Sequence, residues 1–319
     1  MPVVPSSRRA RWTGAACALA VLTIWTSFIL IARFSARHAL GPFDIGFLRF
    51  AFSGAVALPV AAWRWRALRE GLGGSLAWRR GAALAGFAGI GYCCLAYSGF
   101  FFAPAAHAAV LMPGSLPLWT ALIAAWLLGE RLTPTRLAGL ALIVGGDLLV
   151  GGSSLLQAFA GAAVWKGDLM FLAAGICWSS YGVLCRRWRV GPLDATLAIA
   201  LGCLASYVPV YGLAALVGAV PSGLGQASWR EIAFHAVYQG GFAMLIAGVA
   251  FTQVVATFGP VRTTMMTAVV PALAALAAVP LLGEALTPAA LGGLVGVTAG
   301  LLLGLRTPRG AVLVPGRAA

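Results

Sequence analysis

Residues 129–146 read GERLTPTRLAGLALIVGG, and residues 283–300 read GEALTPAALGGLVGVTAG. The two stretches align without a gap, and nearly half of the 319-residue chain separates them. Each stretch follows one long apolar run and opens another. The sequence therefore contains the same corner between two apolar segments twice.

The residue types at this corner predict a tight turn between two helices. The glycine can adopt positive φ and so end the preceding helix. The threonine can cap the next helix, and the proline after it suits the first helical position, where no N–H is needed. We therefore interpret both copies as structural corners, whose members are Gly129, Glu130, Pro134, Gly283, Glu284 and Pro288.

The two corner glutamates differ in their local charge. Arg131 and Arg136 follow Glu130, whereas no cation lies near Glu284 in the sequence. At both positions we expect the glutamate to serve the corner rather than to bind a substrate.

The composition indicates a membrane protein. Hydrophobic residues make up 61% of the chain and charged residues 9%, against about 25% charged residues in a soluble globular domain. The net charge of +14 would suit a nucleic-acid-binding protein. The arginines, however, lie in short segments between apolar runs, so we expect the lipid bilayer as a partner and no nucleic acid.

Ten apolar runs have the length needed to span a bilayer, about 17–25 residues. They lie at 13–32, 43–63, 81–101, 105–127, 135–152, 168–185, 193–217, 232–253, 260–281 and 289–305. The duplicated corner divides them into a first repeat at 13–152 and a second at 168–305. Because five is odd, the second repeat enters the membrane in the opposite orientation. The sequence thus predicts an all-α polytopic membrane protein of ten transmembrane helices in two inverted five-helix repeats.

The basic residues predict the orientation of the chain. Seventeen of the 22 Lys and Arg residues fall in segments on the side of the N-terminus, four fall on the other side, and Arg49 lies within a helix. Since cytoplasmic loops carry the excess of Lys and Arg, we expect a multi-pass protein of the plasma or inner membrane with both termini in the cytoplasm. The first run follows Arg8, Arg9 and Arg11, as a signal peptide would, but its repeat partner at 168–185 predicts a retained spanning helix.

Two longer stretches carry a family resemblance. They resemble the opening and the close of an EamA-type repeat of the drug/metabolite transporter superfamily. The stretch that resembles the opening is residues 25–59, WTSFILIARFSARHALGPFDIGFLRFAFSGAVALP, and the stretch that resembles the close is residues 117–146, PLWTALIAAWLLGERLTPTRLAGLALIVGG. The second half departs from this pattern at Ile199, which stands where Arg49 stands in the first. The matching positions are Trp25, Pro42 and Pro117 in the first half and Trp178, Pro192 and Pro271 in the second.

The resemblance implies a secondary transporter that exports small organic metabolites, often amino acids, by alternating access. It also implies that the last helix of each repeat forms a peripheral scaffold. A weakly charged and aromatic cavity would favour neutral, zwitterionic or amphipathic solutes. Proton coupling, exchange and uncoupled flux all stay open, and no other cofactor is expected.

Two other classes of protein stay open, a membrane-embedded enzyme and a channel or sensor. The sequence lacks the HExxH, GxSxG, GxGxxG and P-loop motifs, so we expect no enzyme and no catalytic residues. The six cysteines lie in apolar runs without CxxC spacing. We therefore expect them to pack in the interior and to bind no metal.

A transport cavity needs polar or aromatic side chains within the spanning helices. Arginine at membrane depth is energetically costly and so indicates a function, although its long side chain can also reach the membrane surface. Trp and Tyr also gather at membrane interfaces, and a lone His often serves only a helix end. With these alternatives open, the cavity candidates are Trp25, Arg49, Tyr97, His107, Trp119, Trp178, Tyr181, Tyr238 and Gln239.

Prolines and glycines in the apolar runs suggest points of bending and close packing. Pro117 and Pro271 hold equivalent positions, and each would kink its helix, so we expect them to act as kinks or gates. A glycine ridge permits close helix packing. Packing within the chain is the favoured interpretation, and a homodimer through the ridge is the alternative. The ridge recurs at four-residue spacing in the last apolar run, at Gly292, Gly296, Gly300 and Gly304.

Overall fold

The computed structural model describes residues 8–130, 132–158, 161–258, 263 and 266–304, and the regular elements in these ranges are all helices. Within the described ranges, eight helices are long and apolar enough to cross a membrane, and two further apolar helices are shorter. In chain order they are α1 (Arg8–Ser35), α2 (Pro42–Trp63), α3 (Gly74–Phe102), α4 (Ala105–Leu128), α5 (Pro134–Ala158), α6 (Val164–Trp188), α7 (Pro192–Leu216), α8 (Trp229–His235, Ala236–Ile246 and Ala247–Phe258), α9 (Val270–Leu282) and α10 (Pro288–Gly304). The short helix Trp65–Gly71 lies between α2 and α3.

The two shorter helices are the last two. The sequence predicts a span over 260–281, whereas α9 begins at Val270, after a turn at 268–269. Residues 259–262 and 264–265 lie outside the described ranges. At about 1.5 Å per residue, the 13 residues of α9 extend about 20 Å, which is less than the roughly 30 Å hydrocarbon core of a bilayer.

Contacts between helix ends define two ends of the bundle. At the N-terminal end, where α1 begins, α1 meets the end of α8, since a Cβ on Gly14 would lie 2.5 Å from the Thr257 side chain. At the opposite end, the start of α4 meets the start of α6 through His107 and Asp168. α1 therefore begins at the end where α8 finishes, and α4 and α6 both begin at the opposite end.

The first helix of each half packs against the other half. α1 contacts α8 and α9, whereas α6 contacts α3 and α4. Ser27 Oγ of α1 lies 2.6 Å from Tyr238 Oη of α8. Thr120 Oγ1 of α4 donates a hydrogen bond to Ser179 Oγ of α6 at 3.1 Å. The first helix of each half therefore packs among the helices of the other half.

Glycines allow α5 and α10 to pack backbone against backbone. A Cβ on Gly146 would lie 2.6 Å from the Gly293 carbonyl oxygen, and a Cβ on Gly300 would lie 2.5 Å from the Gly139 carbonyl oxygen. Gly296 also faces α5, with the Cα of Gly146 3.4 Å from the position of its missing Cβ. The ridge of α10 thus packs within the chain.

The two corners have the backbone geometry of helix ends. Gly129 and Gly283 have φ values of 69° and 65°, in the left-handed region that glycine adopts without a steric penalty. Thr133 Oγ1 and Thr287 Oγ1 each accept a hydrogen bond from the backbone N–H three residues on, at 3.3 and 3.1 Å. The prolines that follow begin α5 and α10. Arg131 lies outside the described residues.

Asp44 at the start of α2 fastens the connection between α7 and α8. Its Oδ1 accepts hydrogen bonds from Tyr211 Oη at 2.8 Å and Ser222 Oγ at 2.7 Å. Its Oδ2 accepts from the backbone N–H groups of Gly41 and Gly223, at 2.9 and 2.8 Å. Both oxygen atoms of this buried carboxylate are therefore hydrogen-bonded within the protein.

Three helices contain wide π-helical turns, which are rare and often occur at functional sites. The turns are Ala85–Gly91 in α3, Val110–Gly114 in α4 and Ala236–Ile246 in α8. The α8 turn lies directly against α2, since a Cβ on Gly240 would be 2.8 Å from the Arg49 carbonyl oxygen. The π turns therefore border the part of the bundle that holds Arg49.

Candidate functional site

A cavity with two chambers lies between the two halves. The larger chamber, about 600 Å³, extends to the N-terminal end, where Arg186 and Arg189 line it. The smaller chamber, about 90 Å³, is lined by residues of α1, α2, α3, α4, α6, α8 and α9. Trp25, Arg49 and Trp178 line both chambers. Among the described residues, neither α5 nor α10 contributes to the lining, which agrees with the scaffold role expected of them.

Arg49 lies at the junction of the two chambers and is only 6% exposed. Its Nη1 donates a hydrogen bond to Tyr97 Oη at 3.3 Å, and its guanidinium lies over the Phe28 ring at 5.9 Å. No described carboxylate forms an ion pair with it. The side chain therefore faces the cavity instead of reaching the membrane surface, and its charge is left uncompensated.

Tyr97 and Gln239 lie behind Arg49. Tyr97 Oη donates a hydrogen bond to Gln239 Oε1 at 2.8 Å, and both residues are buried. The resulting chain of hydrogen bonds joins α2, α3 and α8. These two cavity candidates therefore orient the guanidinium of Arg49 and do not themselves line the chambers.

Each half contributes an aromatic group to the cavity wall. Trp25 of α1 stacks on Phe251 of α8, with ring centroids 5.3 Å apart. Trp178 of α6 lies 4.9 Å from Tyr92 of α3 and 5.3 Å from Tyr181. Both tryptophans are half-buried. They therefore line the cavity and do not belong to an aromatic belt at the membrane interface.

Three further cavity candidates also lie outside the lining. His107 Nδ1 is 2.9 Å from Asp168 Oδ1, and this buried pair joins α4 to α6 at the opposite end. Trp119 Nε1 donates to Ser115 Oγ at 3.1 Å. Tyr238 joins α8 to α1 through the contact of its Oη with Ser27 Oγ. Each of these polar groups therefore has a partner within the protein.

Pro117 and Pro271 begin helical segments and do not kink one from within. They lie in the first turn of Leu116–Leu128 and of α9, where a missing N–H breaks no helical hydrogen bond. In α4 the departure from regular geometry lies upstream, in the π turn that contains Pro113. Pro113 lines the smaller chamber, whereas Pro117 does not.

Glu284 joins three helices at the opposite end of the bundle. Its Oε1 lies 2.5 Å from Arg33 Nε and 3.7 Å from Arg37 Nη2. Its Oε2 accepts a hydrogen bond from Ala105 N at 2.8 Å, and Arg33 Nη1 donates to Phe100 O at 2.5 Å. No cation lies near Glu284 in the sequence, and its partner Arg33 lies 251 residues away in the chain.

Glu130 makes the equivalent contact at the N-terminal end. Its Oε1 lies 3.2 Å from Arg186 Nη1, and its Oε2 lies 3.8 Å from Arg136 Nη1. The Arg186 and Glu130 side chains are 49% and 35% exposed, against 17% and 8% for Arg33 and Glu284. Each corner glutamate thus pairs with the first helix of the other half, more openly at the end to which the cavity extends.

Sequence reasoning missed Tyr92, Phe251 and Pro113. Tyr92 and Phe251 carry the partner rings of the two tryptophans, which no local pattern indicates. Pro113 stands only four residues before Pro117 but has no proline at the equivalent place in the second half. Within the described ranges, no group of three or more His, Cys, Asp or Glu side chains is placed to hold a metal ion.

Both halves of the chain match the same known family. The sequence model of the EamA-like transporter family matches residues 12–152 and again residues 165–306. The chain belongs to the EamA-like transporter family. The two matches fall on the halves that the duplicated corner defines, and together with the apolar helices they identify a multi-pass membrane protein.

Individual relatives of this EamA-like protein are distant. YyaM of Bacillus subtilis (strain 168), an uncharacterized transporter, is 26% identical over 195 residues. That alignment covers 57% of this chain and 58% of YyaM, so the chain spans little more than half of that relative. A solved crystal structure is 23% identical, with a TM-score of 0.54 over 92% of this chain and 97% of the other. This last similarity shows a common fold.

Proposed function

We propose that this EamA-like protein is a secondary transporter, and not an enzyme, that moves small organic metabolites out of the cell by alternating access. Amino acids and similar amphipathic or zwitterionic solutes are the broad substrate class. One observation carries the proposal: the equivalent residues Trp25 and Trp178, one from each half, line the same cavity. Rocking of one half against the other would expose such a cavity to each side of the membrane in turn.

The proposal includes ten membrane crossings in two inverted repeats, at 13–152 and 168–305. The start of α1 beside the end of α8, and the start of α4 beside the start of α6, support it. The excess of basic residues supports a cytoplasmic N-terminal end with both termini inside the plasma or inner membrane. In that orientation the larger chamber opens to the cytoplasm, and the Arg33–Glu284 pair lies at the external end.

Equivalent exposed positions at the two corners allow a direct test of the inversion. Pro134 and Pro288 are both exposed, so Pro134→Cys and Pro288→Cys can be compared in a cysteine-depleted background. We expect a membrane-impermeant thiol reagent to label Pro288→Cys on intact cells and Pro134→Cys only after permeabilisation. If both cysteines react from the same side, the inverted arrangement is wrong.

Transport itself is tested in proteoliposomes. A resistance screen of overexpressing cells against a metabolite panel supplies the solutes, and protein-free liposomes are the control. We expect saturable uptake that accelerates when the same solute is loaded on the other side, since counterflow requires alternating access. A channel would give flux without counterflow, and the absence of counterflow with every solute would contradict the proposal.

The same vesicles reveal the mode of coupling. An imposed pH gradient drives accumulation if protons are coupled to transport. A gradient of a second solute drives it if the protein is an exchanger, and neither drives it if the flux is uncoupled.

A further inference from the structure

We infer that the substrate is an organic monoanion with an aromatic body, whose carboxylate binds Arg49 while its ring lies between Trp25 and Trp178. This inference rests on the proposed transport function. Within the broad substrate class it favours amphipathic anions over amino acids and other zwitterions. Arg49 would bind the charge of the substrate, and Trp25 and Trp178 would bind its ring.

The charge requirement comes from Arg49. A guanidinium has five N–H donors, and among the described residues its only hydrogen-bond acceptor is Tyr97 Oη, at 3.3 Å. A buried charge without a counter-ion is energetically costly unless a ligand supplies one. A carboxylate fits because it can accept two parallel hydrogen bonds from one guanidinium. The Tyr97–Gln239 hydrogen bond, at 2.8 Å, keeps the guanidinium oriented toward the cavity.

The other charged residues of the lining favour an anionic ligand over a cationic one. The described residues that line the two chambers include Arg49, Arg186 and Arg189 but no Asp or Glu. An ammonium group would therefore find no carboxylate partner, whereas an anion would be attracted along the larger chamber toward Arg49. At the position equivalent to Arg49, the second half places the apolar Ile199 in the lining. The junction thus offers one positive charge, which suits a single negative charge.

The apolar requirement comes from the walls around Arg49. Trp25 and Trp178 line both chambers from opposite halves, and their flat faces suit an aromatic ring. Beyond them, the smaller chamber is lined by apolar side chains such as Phe28, Met112 and Val270. A ring attached to a carboxylate by a short linker can place its charge on Arg49 and its body against these walls.

Four ligands that share a phenyl ring and differ in charge test the inference. They are 3-phenylpropanoate (anion), L-phenylalanine (zwitterion), 2-phenylethylamine (cation) and 3-phenylpropanamide (neutral). Binding to the purified full-length protein is measured at pH 7.5 by thermophoresis, and counterflow is measured separately in proteoliposomes. We expect 3-phenylpropanoate to bind at least about tenfold more tightly than the other three. The amine and the amide cannot make the charge-assisted hydrogen bond of a carboxylate to Arg49, and L-phenylalanine would bury its ammonium group without a carboxylate partner.

Variants at Arg49 locate the charge. Arg49→Gln should weaken binding of 3-phenylpropanoate about tenfold or more and leave binding of 3-phenylpropanamide within about threefold. Ile176→Ala is the control, because Ile176 is exposed on α6 and does not line either chamber, and it should leave the order of the four ligands unchanged. Arg49→Lys should keep part of the preference for the anion, because it keeps the charge but loses the paired hydrogen bonds.

Several outcomes would overturn the inference. They are tighter binding of the zwitterion or the cation, binding of none of the four ligands, or full anion affinity in Arg49→Gln. If Arg49→Gln does not fold, the order of the four ligands on the unmodified protein decides alone. Selective binding without counterflow of any solute would leave the anion site standing and count against the proposed transport.

Discussion

Arg33 Nε lies 2.5 Å from Glu284 Oε1, where the end of α1 meets the corner between α9 and α10. The counterpart at the other end of the bundle, Arg186 Nη1 to Glu130 Oε1, is longer at 3.2 Å and more exposed. The chain thus carries two related ion pairs, a more buried one at the opposite end and a more exposed one at the end to which the larger chamber extends. Alternating access predicts that the two pairs exchange these states during the cycle.

Weakening the buried pair should open the external end. We expect Glu284→Gln to raise the rate at which an impermeant thiol reagent, applied from outside, labels a cysteine at Ile29 in the smaller chamber. The increase should be about tenfold or more, since the loss of a buried ion pair exceeds the roughly 1.4 kcal/mol that corresponds to tenfold. Glu130→Gln is the matched control and should leave this external labelling unchanged. Equal labelling of both variants would show that the buried pair does not hold the external end closed.

The glycines between α5 and α10 should tolerate no side chain. In Gly146→Ala the new Cβ would lie 2.6 Å from the Gly293 carbonyl oxygen, so the helices must move apart. We expect the stability to fall by about 1–3 kcal/mol, seen as a lower midpoint of thermal unfolding in detergent. Gly145→Ala is the control, because no atom lies within 4 Å of its new Cβ. Equal midpoints for the two variants would contradict the packing described for this interface.

The buried His107–Asp168 pair should contribute to stability as a unit. His107→Ala removes the hydrogen bond and leaves the Asp168 carboxylate buried without its partner, at a cost of about 1–3 kcal/mol. His38→Ala, at an exposed histidine, is the control and should leave the thermal midpoint unchanged. The double variant His107→Leu/Asp168→Leu should regain much of the loss, because it removes both polar groups together. A midpoint for His107→Ala equal to that of the unmodified protein would contradict this account.

Trp25 should contribute to ligand binding through its ring. We expect Trp25→Leu to weaken binding of 3-phenylpropanoate about three- to tenfold, the range for one lost aromatic contact. Trp126→Leu is the control, because Trp126 is 83% exposed on the outer surface of the bundle. Thermophoresis of both variants checks the expectation. If the two variants bind equally well, the ring does not lie against Trp25.

Much of the site could be predicted from residue type alone. Trp25, Arg49, Trp178 and Tyr181 line the cavity, because an arginine or an aromatic residue deep in an apolar helix is informative by itself. The same reasoning could not separate Arg49 from His107. Both are costly groups at membrane depth, and only the position of Asp168 shows that His107 already has a partner.

Other features depend on contacts that no local pattern contains. Neither Phe251 nor Pro113 stands out in the sequence, and each gains its place in the cavity from the packing of its helix. Pro117 and Pro271, by contrast, do stand out in the sequence. Their equivalence suggested kinks, but the structure begins helical segments at both, because a proline is best accommodated where no N–H bond is needed.

The sequence by itself determined the helices, the corners and the family of this protein. Apolar runs, glycine ends and threonine caps act within a few residues, so their chemistry can be read along the chain. Only the tertiary structure decided that α1 and α6 pack into the opposite halves. That exchange brings Glu284 to Arg33, which lies 251 residues away in the chain. It also surrounds Arg49 with aromatic rings and with no described carboxylate. Neither contact can be read along the chain, because packing between distant helices depends on their complementary shapes.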